Sequence, residues 1–489
     1  MTQLSWESVP FCPKNNGKTK KKRCTGACTS RMHSKSRVDA LYSSEEISFW
    51  KMRNDNKRLY CVFVVTALIF LLLSKSHFSS SPLVKENPLH SVQKNHEREL
   101  GNAGGLNSSE THFSREAVAP NLQSWIDVDL QPWNITGITK KMVDLGAQQG
   151  MRANRIQIID GKIYAQISKS SRGPSRIWYW LWGLMELIDD FPSEDIPNVD
   201  FVLNAQDDPQ VPVVGKRPKN PILAKNYRDY VPGIEGQAPP PVFSAVTTSN
   251  NYDLLWPLWT IWGEDVEGAG SKTGGFHDPP WKELHPKLIH FAKKNKWSER
   301  RSERIFWRGS VKTNSARRAL IRCSKNTVDA ADVQHKLRVG KPIDALDRVK
   351  YKYLIYLDGK SFSSAVLPML VAGAVVFLPN NSPFQTLCQR AFRENGFHQV
   401  FHVSLSQGEI CRTLSEILSG LRNEELRVEN RAKDAVDWAE TQLSMLAFQK
   451  YMIAMLKRYA DLLKYTPTKT KDTVEISWKL IKKNVKRKQ

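Results

Sequence analysis

"IPNVDFVLNAQDDPQVP", residues 196–212, carries a short apolar run that ends on two adjacent acids. Its centre, "VDFVLNA" (199–205), has the length and composition of a buried strand, and Pro209 closes the turn directly after Asp207 and Asp208. Loops at the carboxyl ends of parallel strands are where α/β proteins hold their ligands, so the position of this pair matters as much as its charge. Three readings are open for the two carboxylates: metal ligands, a general base within reach of an acceptor hydroxyl, or a solvated turn.

Helix and strand signals alternate on either side. "RIWYWLWGLMELIDDF" (176–191) has the length and apolar density of a buried helix. "YLIYLDG" (353–359), "MLVAGAVVFLP" (369–379) and "QVFHVSL" (399–405) read as short buried strands or strand–helix units between Gly, Pro and Asn turns. Residues 434–465 read as one long amphipathic helix that closes the fold. This alternation predicts an α/β architecture of two parallel-sheet lobes facing a cleft.

Two further loops have the composition of an anion site. In "FWRGSVKTNSARR" (306–318), Arg308, Gly309, Ser310 and Lys312 combine a guanidinium fork, backbone N–H groups and a second cation, a set suited to a diphosphate. "LDGKSFSSAVLP" (357–368) follows an apolar strand and offers Gly359, Lys360, Ser363 and Ser364 just before an expected helix, although a plain strand–turn–helix joint has the same form. No Walker A, G-x-G-x-x-G, HExxH or G-x-S-x-G pattern occurs, which argues against a nucleotide hydrolase, a dehydrogenase, a zinc protease and a serine hydrolase.

The net charge of +23 over 489 residues is concentrated at the ends: 13 Lys/Arg against 5 Asp/Glu in the first 58 residues, and six basic residues among the last eleven. No zinc pattern or aromatic platform accompanies them, so nucleic-acid binding is not expected. Between Arg58 and Lys75 lies "LYCVFVVTALIFLLLS" (59–74), too deep in the chain for a cleaved signal peptide and long enough, at roughly 24 Å of helix, to serve as a short membrane anchor. The basic flank before it predicts a type II orientation, with the first 58 residues cytosolic and the remainder luminal. Asn107 and Asn134 are acceptor sequons on the luminal side. Residues 75–119 have the composition of a flexible stem. Of seven cysteines, Cys323, Cys388 and Cys411 would meet the oxidising lumen, allowing one disulfide and leaving one thiol.

Four segments, "IPNVDFVLNAQDDPQVP", "PPPVFSAVTTSNNYDLLWPLWTIWGE", "IFWRGSVKTNSARRALI" and "YKYLIYLDGKSFSSAVLPMLVAGAVVFL", resemble in order and spacing the CAP-like glycosyltransferases of family 90, which include the Rumi-type protein O-glucosyltransferases and fungal capsule xylosyltransferases. The resemblance covers about residues 170–405 and implies a GT-B fold of two Rossmann-like lobes, a UDP-sugar donor, inversion at the anomeric carbon and no metal or other cofactor. The family's N-x-R-D-[WY]-P motif places its catalytic base on Asp207 rather than Asp208, and its W/F-R-G arginine on Arg308. Trp256, Trp259 and Trp262 fall on an aromatic segment beside the donor.

Two positions depart from the pattern: Gln206 stands where the motif has arginine, and Ala365 stands in place of a loop arginine that contacts the diphosphate. Lys360 and Lys312 are the cations available to substitute. The expected organisation is a cytosolic tail (1–58), an anchor (59–74), a luminal stem (75–119), a glycosyltransferase domain (120–465) and a basic tail (466–489), in the Golgi or endoplasmic reticulum membrane. The expected function is transfer of glucose or xylose from a UDP-sugar to a protein or glycan hydroxyl. A weakened relative that binds glycan or acts as a scaffold, and a protein working through its cytosolic tail, are the alternatives.

Overall fold

The computed structural model describes residues 125–485, apart from 149–151, 169–173, 193–194, 214, 217–229, 264–278, 302–303, 324, 333–343, 395–399 and 404–407. The amino-terminal tail, the apolar run at 59–74, the stem and Asn107 lie outside the described residues. Among the described residues no helix is long and apolar enough to cross a membrane.

The first lobe comprises α1 (Ile126–Leu130), α2 (Lys140–Gly146), β1 (Asn154–Ile159), β2 (Lys162–Gln166), α3 (Pro174–Asp190), β3 (Val199–Asn204), β4 (Val242–Ser244), β5 (Thr247–Thr248) and β6 (Leu254–Leu255). The second comprises α4 (Trp281–Lys294), β7 (Ile305–Gly309), α5 (Ser315–Leu320), β8 (Val328–Asp332), β9 (Tyr353–Ile355), α6 (Val366–Val371), β10 (Val375–Pro379), β11 (Phe384–Gln385), α7 (Leu387–Glu394), β12 (Val400–Val403), α8 (Ile410–Asn423) and α9 (Glu425–Gln442). The chain then returns to the first lobe through α10 (Met445–Leu462), β13 (Val474–Glu475) and α11 (Trp478–Asn484).

The second sheet, β12-β10-β9-β7-β8, is parallel throughout, and β9 and β10 are buried along their whole length, as continuous apolar runs require. The first sheet, β13-β2-β1-β3-β4-β6, is mixed, which corrects the expectation of two parallel sheets. Only β3, β4 and β6 run parallel; β1 and β2 form a hairpin, and β1 lies antiparallel to β3. The cause is local. Asp160 and Gly161 both have positive φ (49° and 71°), the two-residue turn that matches the twist of a hairpin and that an Asp-Gly pair favours.

The first lobe buries charge in its core. Asp200, inside β3 and 1% exposed, receives both Nε (2.8 Å) and Nη2 (2.5 Å) of Arg155 on β1, and Tyr459 Oη of α10 donates to its backbone oxygen at 3.1 Å. Phe201, Phe243, Trp256 and Tyr459 pack edge to face or tilted around this strand. In the second lobe, Ile305, Trp307, Tyr353, Ile355, Phe377, Leu414 and Leu418 form the core. There Cys323 and Cys411 are joined in a disulfide that ties α8 to the segment after α5, while Cys388 stays free and buried. Closing 88 residues of chain in this way limits the unfolded ensemble by about 4.6 kcal/mol on a loop-entropy basis.

Two expectations about the carboxyl-terminal region are corrected. The helix expected over 434–465 is two helices, because Ser444 leaves helical geometry (φ −68°, ψ 160°) and its side chain caps α10 by accepting from Ala447 N. The break lets α9 stay on the second lobe while α10 packs on α1 and β3 of the first. The segment after 465 is not a tail as far as Val485. β13 pairs antiparallel with β2, Gln157 exchanges hydrogen bonds with Thr468 and Thr470, and Trp478 lies edge-on to Trp182 at 5.0 Å. Ile476, Ile481 and Val485 are buried, and lysines occupy the solvent side between them.

The turn that carries the two acids is fixed from beneath. Asp253 is 4% exposed and accepts from Gln210 N (2.8 and 2.9 Å), Val211 N (2.7 Å) and Ser244 Oγ (2.6 Å). Asn204 donates to Asp208 O (2.9 Å) and Ser244 Oγ (3.0 Å), and accepts from Gln206 N (2.9 Å) and Gln210 Nε2 (2.7 Å). Burial pushes the Asp253 carboxyl up to about 6, against the pull of its donors.

Removing residues 466–489 is expected to lower the melting temperature by roughly 5 °C or more, because it unpairs β2 and uncovers Trp182; an unchanged melting curve would contradict the docking of this segment. Asp253→Ala is expected to cost about 3 kcal/mol or more, read in a denaturant titration, since it strands two buried amides and a hydroxyl. The folded state also holds the Asp253 proton more tightly than the unfolded chain does. Its stabilising contribution is therefore complete below about pH 4 and is lost as pH rises through about 6, so wild type should lose stability relative to Asp253→Asn across that window.

Candidate functional site

The loops after β3, β7 and β9 leave the carboxyl ends of their sheets, and those after β3 and β9 meet across the two lobes. Lys360 Nζ lies 2.9 Å from Asp208 Oδ2, and Phe362 lies edge-on to Trp259 with ring centroids 5.4 Å apart. The candidate base and the candidate anion loop of residues 357–368 therefore face the same space.

The two acids do not share a partner. Asp207 Oδ1 is 2.7 Å from Arg176 Nη1, whereas Asp208 is exposed and paired with Lys360. Arg176 stands in the first turn of α3 with its guanidinium 4.3 Å from the centre of the Trp259 ring. Of the three tryptophans, Trp259 reaches this space, while Trp256 is wholly buried among Phe201 and Phe243 and Trp262 is 2% exposed.

Arg308 spends its guanidinium on the neighbouring strand. Its Nη1 donates to Trp307 O (2.9 Å) and Asp329 O (2.8 Å), its Nη2 to Asp329 Oδ1 (2.8 Å), and the guanidinium lies over the Phe306 ring. The fork ties β7 to β8, and a carboxylate already balances its charge. Lys312 is exposed on the loop after β7, Ser310 is buried and accepts from Lys312 N (3.4 Å), and Gly309 passes so close to Trp307 that an added Cβ would lie 2.6 Å from the ring. At Gly359 an added Cβ would lie 2.7 Å from Phe362 O, so this turn needs glycine for lack of space. Ser363 N donates to the Tyr356 hydroxyl (2.9 Å), whose own proton burial holds well above its usual range. Ser364 lies at the same bend, just before the short helix α6.

Two further side chains at these loops carry no motif in the sequence. Arg176 begins an apolar helix and carries no motif. Arg317, 7% exposed, donates from Nη1 to Ser310 O (3.1 Å) and from Nη2 to Leu357 O (2.8 Å), bracing both anion-type loops from below. Burial among these groups pulls its affinity for the proton down. In "TNSARR" only the inward register of α5 separates Arg317 from the exposed Arg318, and composition cannot supply that register. The sequon residue Asn134 is exposed.

Comparison with known proteins matches glycosyl transferase family 90 over residues 114–489. The chain is similar to the O-glucosyltransferase rumi of Drosophila pseudoobscura pseudoobscura, 24% identical over 353 residues that make up 70% of this chain and 77% of that protein. It is also similar to the protein O-glucosyltransferase 1 of Rattus norvegicus, 24% identical over 366 residues (72% of this chain, 82% of that protein), and to the human protein of the same name, 26% identical over 266 residues (52% and 59%). The match runs through the acids after β3 and the loops after β7 and β9, and the chain belongs to glycosyl transferase family 90.

Proposed function

We propose that this chain is an inverting glycosyltransferase that moves glucose, or failing that xylose, from a UDP-sugar to a hydroxyl group of a protein. The observation that carries the reading is Asp207, held by Arg176 at the carboxyl end of β3 and facing the Gly359–Ser364 loop of the other lobe. In this mechanism Asp207 takes the proton of the acceptor hydroxyl. The acceptor oxygen bonds to the anomeric carbon as the bond from that carbon to the diphosphate oxygen breaks, and the electron pair leaves on UDP. Lys360, Lys312 and the backbone N–H groups of the two loops are the groups that would meet the diphosphate charge, without a metal ion. The names of the similar proteins favour glucose and a protein acceptor.

Two observations favour a second reading, a relative that binds sugar with little turnover: Arg308 is balanced by Asp329, and Ala365 supplies no guanidinium. The apolar run at 59–74 and the exposure of Asn134 support a type II protein of the secretory pathway with the folded body in the lumen.

The test is UDP release by the purified full chain over a panel of UDP-sugars, with EDTA present. UDP-glucose is expected to lead; loss of activity in EDTA with recovery on manganese would overturn the metal-free mechanism. Asp207→Asn is expected to lower kcat by roughly 100-fold or more with little change in UDP affinity, while Asp208→Asn remains within several-fold of wild type. The reverse pattern would move the base to Asp208, and absence of turnover with retained UDP binding would favour the second reading. Protease added to sealed microsomes should remove the first 58 residues and spare the body, and Asn134→Gln should lose one glycan's mass; digestion of the body would overturn the type II orientation.

A further inference from the structure

Helix α3 starts with a cation that does nothing for the helix. A positive side chain in the first turn opposes the helix dipole, and no acid in that turn offsets it. The contacts of Arg176 explain its position instead. Nη1 donates to Asp207 Oδ1 at 2.7 Å and lies 3.4 Å from Ala205 O, and the guanidinium face lies on Trp259, itself only 3% exposed. Three directions of the side chain are thus used: a carboxylate ahead, the backbone of the same turn beside it, and an aromatic wall beneath. The residue preceding the acid in the chain is Gln206, which is uncharged.

From these contacts, and resting on the reading of Asp207 as base, we propose that Arg176 is a positioning residue for the transfer step: it fixes Asp207 through Oδ1 so that Oδ2 receives the acceptor proton. A carboxylate at the end of a turn has two free torsions. A charge-assisted bond to one oxygen removes most of that freedom and leaves the second oxygen with no protein partner among the described residues. Trp259 in turn keeps the guanidinium from swinging into solvent. Because the same ring meets Phe362 of the opposite lobe, the orientation of the base is set by the approach of the two lobes. Arg176 does not act as proton donor or acceptor; the proton passes from the acceptor hydroxyl to Asp207 as described above.

The experiment uses the detergent-solubilised full chain and measures UDP release from UDP-glucose with water as acceptor. Its variants are Arg176→Met, Arg176→Lys, Asp207→Asn and the double variant Arg176→Met/Asp207→Asn. Arg176→Met is expected to lower kcat by about 10- to 100-fold while KM for UDP-glucose and the calorimetric affinity for UDP stay within about 2-fold. Arg176→Lys should recover part of the rate, since it restores the charge without the planar fork. The double variant should be no slower than Asp207→Asn alone, because an orienting group has nothing left to orient once the base is gone. Multiplying losses in the double variant, or a Met variant that changes KM alone, would overturn the proposal. If the Met variant does not fold, Arg176→Lys decides: an unchanged kcat would defeat the proposal. Full activity in Asp207→Asn would remove the base assignment itself, and a wild type that releases no UDP would remove the enzyme reading; both outcomes are distinct from an active Asp207 with an indifferent Arg176.

Discussion

A turn that leaves a buried strand carries amides away from water and without a partner strand, and in this chain the carboxylate of Asp253 takes two of them, those of Gln210 and Val211. Asn204, Ser244 and Gln210 complete the network, so the chain leaves β3 in a turn whose backbone is bonded from below. The two acids at the top of that turn owe their direction to this buried layer and not to each other. Asp253 lies directly before β6, which runs parallel to β4, itself the parallel neighbour of β3, so the same pairing that builds the sheet delivers the group that shapes the loop.

Legibility in the sequence followed physical range. Continuous apolar runs such as those of β3, β9 and β10 announce strands buried on both faces, and α3 is found within a few residues of its expected limits. The hairpin of β1 and β2 carries a readable signal in Asp160-Gly161, flanked by the alternating apolar residues Ile156 and Ile158 on one side and Ile163 and Ala165 on the other. The lysines of the carboxyl-terminal segment dominate its composition, while strand pairing with β2, Trp478 and three isolated buried apolar residues do the docking. Motif position indicated where Asp207, Arg308 and the glycine turn lie along the chain, but a motif does not say which way a guanidinium turns. Arg308 meets Asp329 only because β8 runs beside β7, and Arg176 meets Asp207 only because the start of α3 lies beside the end of β3. Both contacts are made over distances in sequence that no local pattern spans.

The lobes are joined at several separate places. β11 pairs with β5 across them, Arg390 of α7 reaches the nearly buried Asp129 of α1, and the bend at Ser444 carries the chain back from α9 to α10. The Phe362–Trp259 and Lys360–Asp208 contacts lie at the cleft itself. The β5–β11 pairing is half-buried and the Arg390–Asp129 ion pair is shielded from water, whereas Lys360 and Asp208 are both exposed and contribute little to holding the lobes together.

Cys388 bears on how the second lobe reaches its covalent form. Burial pushes its thiol up to about 12, so at neutral pH almost none of it is thiolate, the species that attacks a disulfide. Once α7 has packed, this sulfur can neither compete for Cys323 or Cys411 nor displace one from the other. Three cysteines could pair in three ways in an open chain; the packing of one helix reduces that choice to a single product, and the order in which α7 and the disulfide form becomes the step at which mispairing is decided.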